Sequence, residues 1–201
     1  MYIVATLLYP GGSPANHLAS GFSWVHNYWC NLLTERAING ALNRAQPVAL
    51  TAMGVLGVSL ALFWWQIPDL LPFSSLGAAV IRWAGTLAML ATCFLAMPYH
   101  DVATTIASVL GLVALLGTFL GLRKLRAWKL LWFGVGCVVL IGANNFIYYT
   151  GYAILFLPLL QKFTMVWVLG WMTQLSLLLY RKSSPYSAPQ SALVEGSQTS
   201  S

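Results

Sequence analysis

Acidic side chains are almost missing from this chain. Four Asp and Glu stand against ten Lys and Arg in 201 residues, and charged residues total 7%. A soluble domain carries about 25%, so an ordinary water-soluble surface is excluded. Cysteine is scarce too. Cys30, Cys93 and Cys137 are scattered with no CxxC pair, which leaves no disulfide framework. Several chemical signatures are also lacking: a paired-histidine HExxH helix, a phosphate-binding glycine loop, a GxSxG elbow, and a histidine pair within the apolar runs for haem. The metalloprotease, nucleotide-phosphate, serine-hydrolase and haem classes are set aside with them. No repeat of 20–50 residues is visible, which removes solenoids. No inverted pair of broken helices is visible either, which weakens a transporter reading.

What the chain does have is apolar length. Residues of hydrophobic type make up 59%, with nine tryptophans. Crossing about 30 Å of hydrocarbon takes about 20 residues. The runs Pro47–Gln66, Leu76–Met97, Val102–Leu122 and Trp128–Tyr149 meet that length, and Ala153–Tyr180 is a fifth. Pro158, near the start of the fifth, marks either a kink or a first helical turn. The opening run "MYIVATLLY" is too short to span and lacks the marks of a signal peptide. It reads as the outer half of a helix whose beginning lies upstream. The expected fold is therefore all-α: a polytopic transmembrane bundle of six helices, the first incomplete, over residues 1–182. The tail 183–201, rich in Ser, Pro and Gln, reads as disordered and cytoplasmic.

Basic residues orient the bundle. Arg123, Lys124, Arg126 and Lys129 crowd one short loop, and Arg181 and Lys182 follow the last run, on the same side by count. The positive-inside rule makes both cytoplasmic, in a plasma or inner membrane. Residues 10–46, the "PYHD" turn at 98–101 and "YYTGY" at 148–152 then face outward.

The outward segment contains "GFSWVHNYWCNLLTER". On a helix over 24–37, His26, Asn27, Cys30, Asn31, Thr34 and Glu35 form one polar stripe opposite Val25, Tyr28, Trp29, Leu32 and Leu33. Gly40 suits a terminator with positive φ. This predicts an amphipathic external helix, either a plain lid or a polar cap over the bundle's outer mouth.

Candidate chemistry follows from these positions. His100, Asp101, His26 and Glu35 are the candidate catalytic acids and bases, although Asp101 equally suits a helix N-cap. Asn27, Asn31, Asn144, Asn145 and Lys162 are the candidate ligand-binding residues. The two amides of the fourth span equally suit bonds between helices. Lys162 is an ionisable residue within an apolar run, either functional or snorkelling outward. Glu35 or Asp101 would neutralise it at a shared outer site. No metal is expected. If one is held, it is zinc on His17, His26 and His100, completed by Cys30 or Asp101. Arg82 reads as snorkelling to the cytoplasmic side, and Gly117 with Gly121 as a close-packing pair.

The segments "YPGGSP", "NYWCNLL", "AINGALN" and "FWW" resemble an uncharacterised six-helix membrane family, a domain of unknown function with a layout similar to the Frag/DRAM/Sfk type. The resemblance implies a six-helix bundle with an outward first loop and no established activity. Three functions remain open. The first is binding or organising membrane lipid, a membrane partner or a second copy at the outer face. The others are an outer-leaflet lipid hydrolase or transferase, and a small transporter with Lys162 as its coupling charge.

Overall fold

The computed structural model describes residues 1–92 and 100–183. Its regular elements are six α-helices: α1 Tyr2–Leu8, α2 Gln46–Gln66, α3 Ser75–Thr92, α4 His100–Lys124, α5 Trp128–Thr150 and α6 Leu157–Ser183. Five stretches, from Gln46–Leu70 to Ile154–Lys182, are long and apolar enough to cross a membrane. The sequence-expected spans match these helices closely at their described ends. The 93–99 part of the second span, and residues 184–201 of the tail, lie outside the described residues.

Composition explains how the helices pack. Within lipid the hydrophobic effect does not drive helices together, so close fit and small residues must do it. A Cβ on Gly117 would stand 2.5 Å from Ile81 of α3, and one on Gly121 2.8 Å from Leu71. The expected close-packing pair thus seats α4 against α3 and the turn before it. Gly85 of α3 likewise admits the indole of Trp64 from α2. Gly134 of α5 lies against Trp171 of α6, whose Nε1–H donates to the Leu130 carbonyl at 2.8 Å. Trp64, Ile81, Ala114, Leu122, Trp171 and Leu175 share the resulting core.

Pro158 sits in the first turn of α6, where its missing N–H costs nothing. It does not kink the helix interior. α1 buries Ala5 and Thr6, and joins a second core with Tyr9, Leu32, Ala45 and Ala49. It therefore packs beside the start of α2.

At the basic end, Arg82 does more than snorkel. Its guanidinium pairs with Asp69 at 2.5 Å and stacks over Trp65. Lys182 donates to the carbonyls of Asp69 and Leu70, tying the last helix to the turn after α2.

Candidate functional site

The segment 10–45 forms a knot of turns, and the expected amphipathic helix is absent from it. Within 24–37 the only helical piece is a 3-10 turn, Trp29–Leu32. The polar side chains themselves are the reason. Asn and Ser offer the backbone local partners that compete with helical bonds. Asn27 Oδ1 accepts from the Ser23 amide at 2.8 Å, and Asn31 Oδ1 from the Tyr28 amide at 2.7 Å. The stripe is consequently split. Asn27 is fully buried, Asn31 and His26 are partly so, and Cys30, Thr34 and Glu35 are exposed.

Four residues hold this knot in shape. The Asn27 side chain donates to the Gly12 carbonyl at 2.8 Å. Asn43 is buried and shares its amide hydrogens among the carbonyls of Asn31, Leu32 and Thr34. The hydroxyl of Tyr9 accepts from the Ile38 amide. Gly12 has φ +85°, and a Cβ there would stand 2.5 Å from the Asn39 nitrogen. The "YPGG", "NYWCNLL" and "AINGALN" segments are thereby woven into one body. Gly40 does have positive φ, at +84°, but it closes a turn from Ala37 and terminates no helix.

Lys162 joins this body to the bundle. It lies in the second turn of α6, 8% exposed. Its Nζ donates to the Asn27 carbonyl at 2.5 Å and to the Pro158 carbonyl at 3.0 Å. The rings of Phe22 and Trp29 stand 5.5 and 5.7 Å from the ammonium, within cation–π range. Carbonyl dipoles and ring faces compensate the charge, so the expected Glu35 counter-ion is not used. Among the described residues the ion pair is Arg82 with Asp69. A cation held in this way ties the loop body to α6.

The remaining candidates divide. His26 contacts Ser23, Nδ1 to Oγ at 3.3 Å, within its own turn. His17 is exposed. α4 is described from His100 onward, and the side chains of His100 and Asp101 lie outside the described residues. No group of three metal-ligating side chains occurs among the described residues. Desolvation raises the Cys30 thiol above its ordinary range even though the residue is exposed, which disfavours a thiolate there.

Asn144 and Asn145 do meet part of the loop. Both line a cleft of about 450 Å³ with Trp29, Gln161, Thr164 and Met165, extending to Leu56 and Leu60 of α2 and Met172 of α6. Asn144 Nδ2 donates to the Leu140 carbonyl and, at 2.7 Å, to Thr164 Oγ1. Asn145 is exposed and bonds back to Ile141. A second cleft of about 560 Å³ is lined by Tyr2, Trp24, Trp29, Lys162, Phe163 and Val166, among others, and is almost wholly apolar. Trp29, Met165 and Leu169 border both.

Sequence reasoning missed Gln161, Trp29 and Phe22 as site residues. The helical spacing of Gln161 and Thr164, on the face that meets Asn144, was the available signal. No protein-family model, no curated protein and no solved structure matches the chain.

Proposed function

We propose that this multi-pass membrane protein binds lipid at the end of the bundle that carries the 10–45 loop body. The observation that carries the reading is the pair of clefts bordering Trp29, about 450 and 560 Å³, each in the range of small-molecule sites. Both are lined mostly by Leu, Met, Val and aromatic side chains. The loop body forms part of both walls, through Trp29 in one and Trp24 and Trp29 in the other.

The basic residues Arg123, Lys124, Arg126, Lys129, Arg181 and Lys182 gather at the opposite end. By the positive-inside rule that end is cytoplasmic and the clefts serve the outer leaflet of a plasma or inner membrane. Tryptophans at the mouth of the clefts suit the headgroup level, where an indole finds both apolar and polar neighbours.

Native mass spectrometry of the protein extracted in mild detergent tests the reading. A co-purified lipid is expected, and filling the clefts with Leu169→Trp should displace it. Protein free of lipid under extraction gentle enough to keep it folded would overturn the proposal.

A further inference from the structure

A third cleft lies at the basic end of the bundle, between α4 and α5, and the outer lipid site makes no use of it. It encloses about 590 Å³ and is lined by Leu116, Phe119, Leu120 and Arg123 of α4 and by Trp128 and Leu131 of α5. α4 packs along α3 but meets α5 only sparsely, so the groove opens on the outside of the bundle. Leu116, Leu120 and Trp128 are about half exposed along it. We propose that this groove holds an anionic glycerophospholipid, its phosphate on Arg123 and an acyl chain against Leu116 and Leu120.

The lining has the polarity of such a lipid. Leu116, Leu120 and Arg123 follow one another at helical spacing on one face of α4. From Leu116 to Arg123 is about 10 Å along the helix, within the roughly 15 Å of hydrocarbon that one leaflet offers. Arg123 stands at the end of that path and Trp128 beside it, where an indole suits the headgroup level. A guanidinium matches two phosphate oxygens with parallel hydrogen bonds, which a lysine ammonium cannot do.

The surrounding charge selects an anion. α4 ends at Lys124 and α5 begins at Trp128, and the Arg126 amide donates to the Arg123 carbonyl at 3.0 Å across the turn. Arg123, Arg126 and Lys129 are exposed, and among the described residues the ion pair is elsewhere, between Arg82 and Asp69. Sorting across the membrane and the C-terminal dipole of α4 account for Arg123 and Lys124. Neither calls for Lys129 in the first turn of α5, where the helix dipole opposes a cation. That turn has no acidic residue and no side-chain cap. Arg126 holds φ +54°, a conformation that Gly or Asn adopts more readily. An anion supplied from outside the chain offsets these costs. A zwitterionic headgroup would bring its own cation to the same turn. Lys124 is directed elsewhere: its Nζ stands 4.6 Å from the ring of Phe73, ahead of α3.

The test uses the full chain in phosphatidylcholine nanodiscs, with photoactivatable phosphatidylglycerol and phosphatidylcholine probes sharing the same acyl chains. Adducts are mapped by mass spectrometry on peptides spanning Leu116–Leu131. Phosphatidylglycerol should label them about fivefold or more above phosphatidylcholine, the effect of one basic residue at a membrane surface. Arg123→Gln should remove most of that excess, whereas Lys124→Gln, which takes the same charge from the same turn, should lower it less than twofold. A thermal melt checks that both variants stay folded. Equal labelling by the two probes would overturn the proposal. Equal loss in the two variants would also overturn it, since a diffuse basic surface behaves that way. Competition by millimolar glycerol phosphate would show a site for a soluble phosphate and reject the lipid. The peptides read belong to α4 and α5 at the basic end, so this site and the outer clefts can fail separately.

Discussion

Lys162 Nζ lies 2.5 Å from the carbonyl oxygen of Asn27, 135 residues away in the chain. The side chain of the same Asn27 is bonded to the Gly12 carbonyl and to the Ser23 amide. One ammonium on α6 thus holds the centre of the loop body against the bundle, and Trp29 is kept between the two clefts by the same contact.

Replacing Lys162 with Met keeps the apolar stem and removes the donor. Hydrogen bonds to charged groups are worth about 1.5–3 kcal/mol, and the local opening free energy of the loop should fall by about that much. Amide exchange across residues 22–32 is expected to accelerate roughly tenfold or more. Unchanged exchange in that segment would show that Lys162 does not clamp the loop.

Two glycines with the same sign of φ should respond differently to alanine. Gly40→Ala, at φ +84° with open space around the new methyl, should cost about 1–2 kcal/mol. Gly12→Ala faces the same backbone penalty and a Cβ 2.5 Å from the Asn39 nitrogen. It should lower the melting temperature clearly further. Equal melting temperatures would contradict the close packing of the loop body.

Asn43→Ala removes the amide shared by three carbonyls, and with it the acceptor for the Ala45 amide before α2. Leaving buried carbonyls unpaired costs about 1–3 kcal/mol. The variant should melt earlier and become sensitive to protease between Asn31 and Asn43. Resistance equal to that of the parent chain would reject this role.

The Arg82–Asp69 pair should matter little by comparison. Its side chains are 27% and 63% exposed, and exposed pairs contribute about 0–1 kcal/mol. Asp69→Asn is expected to leave the melting temperature nearly unchanged. A large fall would mean that the pair sits in a drier environment than its exposure indicates.

Topology supplies a prediction that carries the rest. An alkaline phosphatase fused after Lys182 should be inactive and a fluorescent protein at the same place bright, as a cytoplasmic C-terminus requires. Phosphatase activity there would invert the assignment of the clefts to the outer leaflet.

The sequence by itself determined the spans, because length and apolar content are local properties that a bilayer reads directly. Gly117 with Gly121 was legible as a close-packing pair for the same reason, since it depends on a residue type at a short spacing. The choice for Pro158 between a kink and a first turn was settled only by where α6 starts. The 24–37 segment was misread as a helix because periodicity cannot show whether Asn27 and Asn31 will bond to their own backbone. Of the two counter-charges expected for Lys162, Glu35 is not used for a related reason, and the Asp101 side chain lies outside the described residues. Carbonyl oxygens, carried by every residue, leave no mark in composition. Only the tertiary structure brought Trp29 from the loop to Asn144 of α5 and Gln161 of α6. Proximity between distant segments is a property of the assembled fold, so the border that Trp29 shares between the two clefts emerges only once the helices and the loop body are in place.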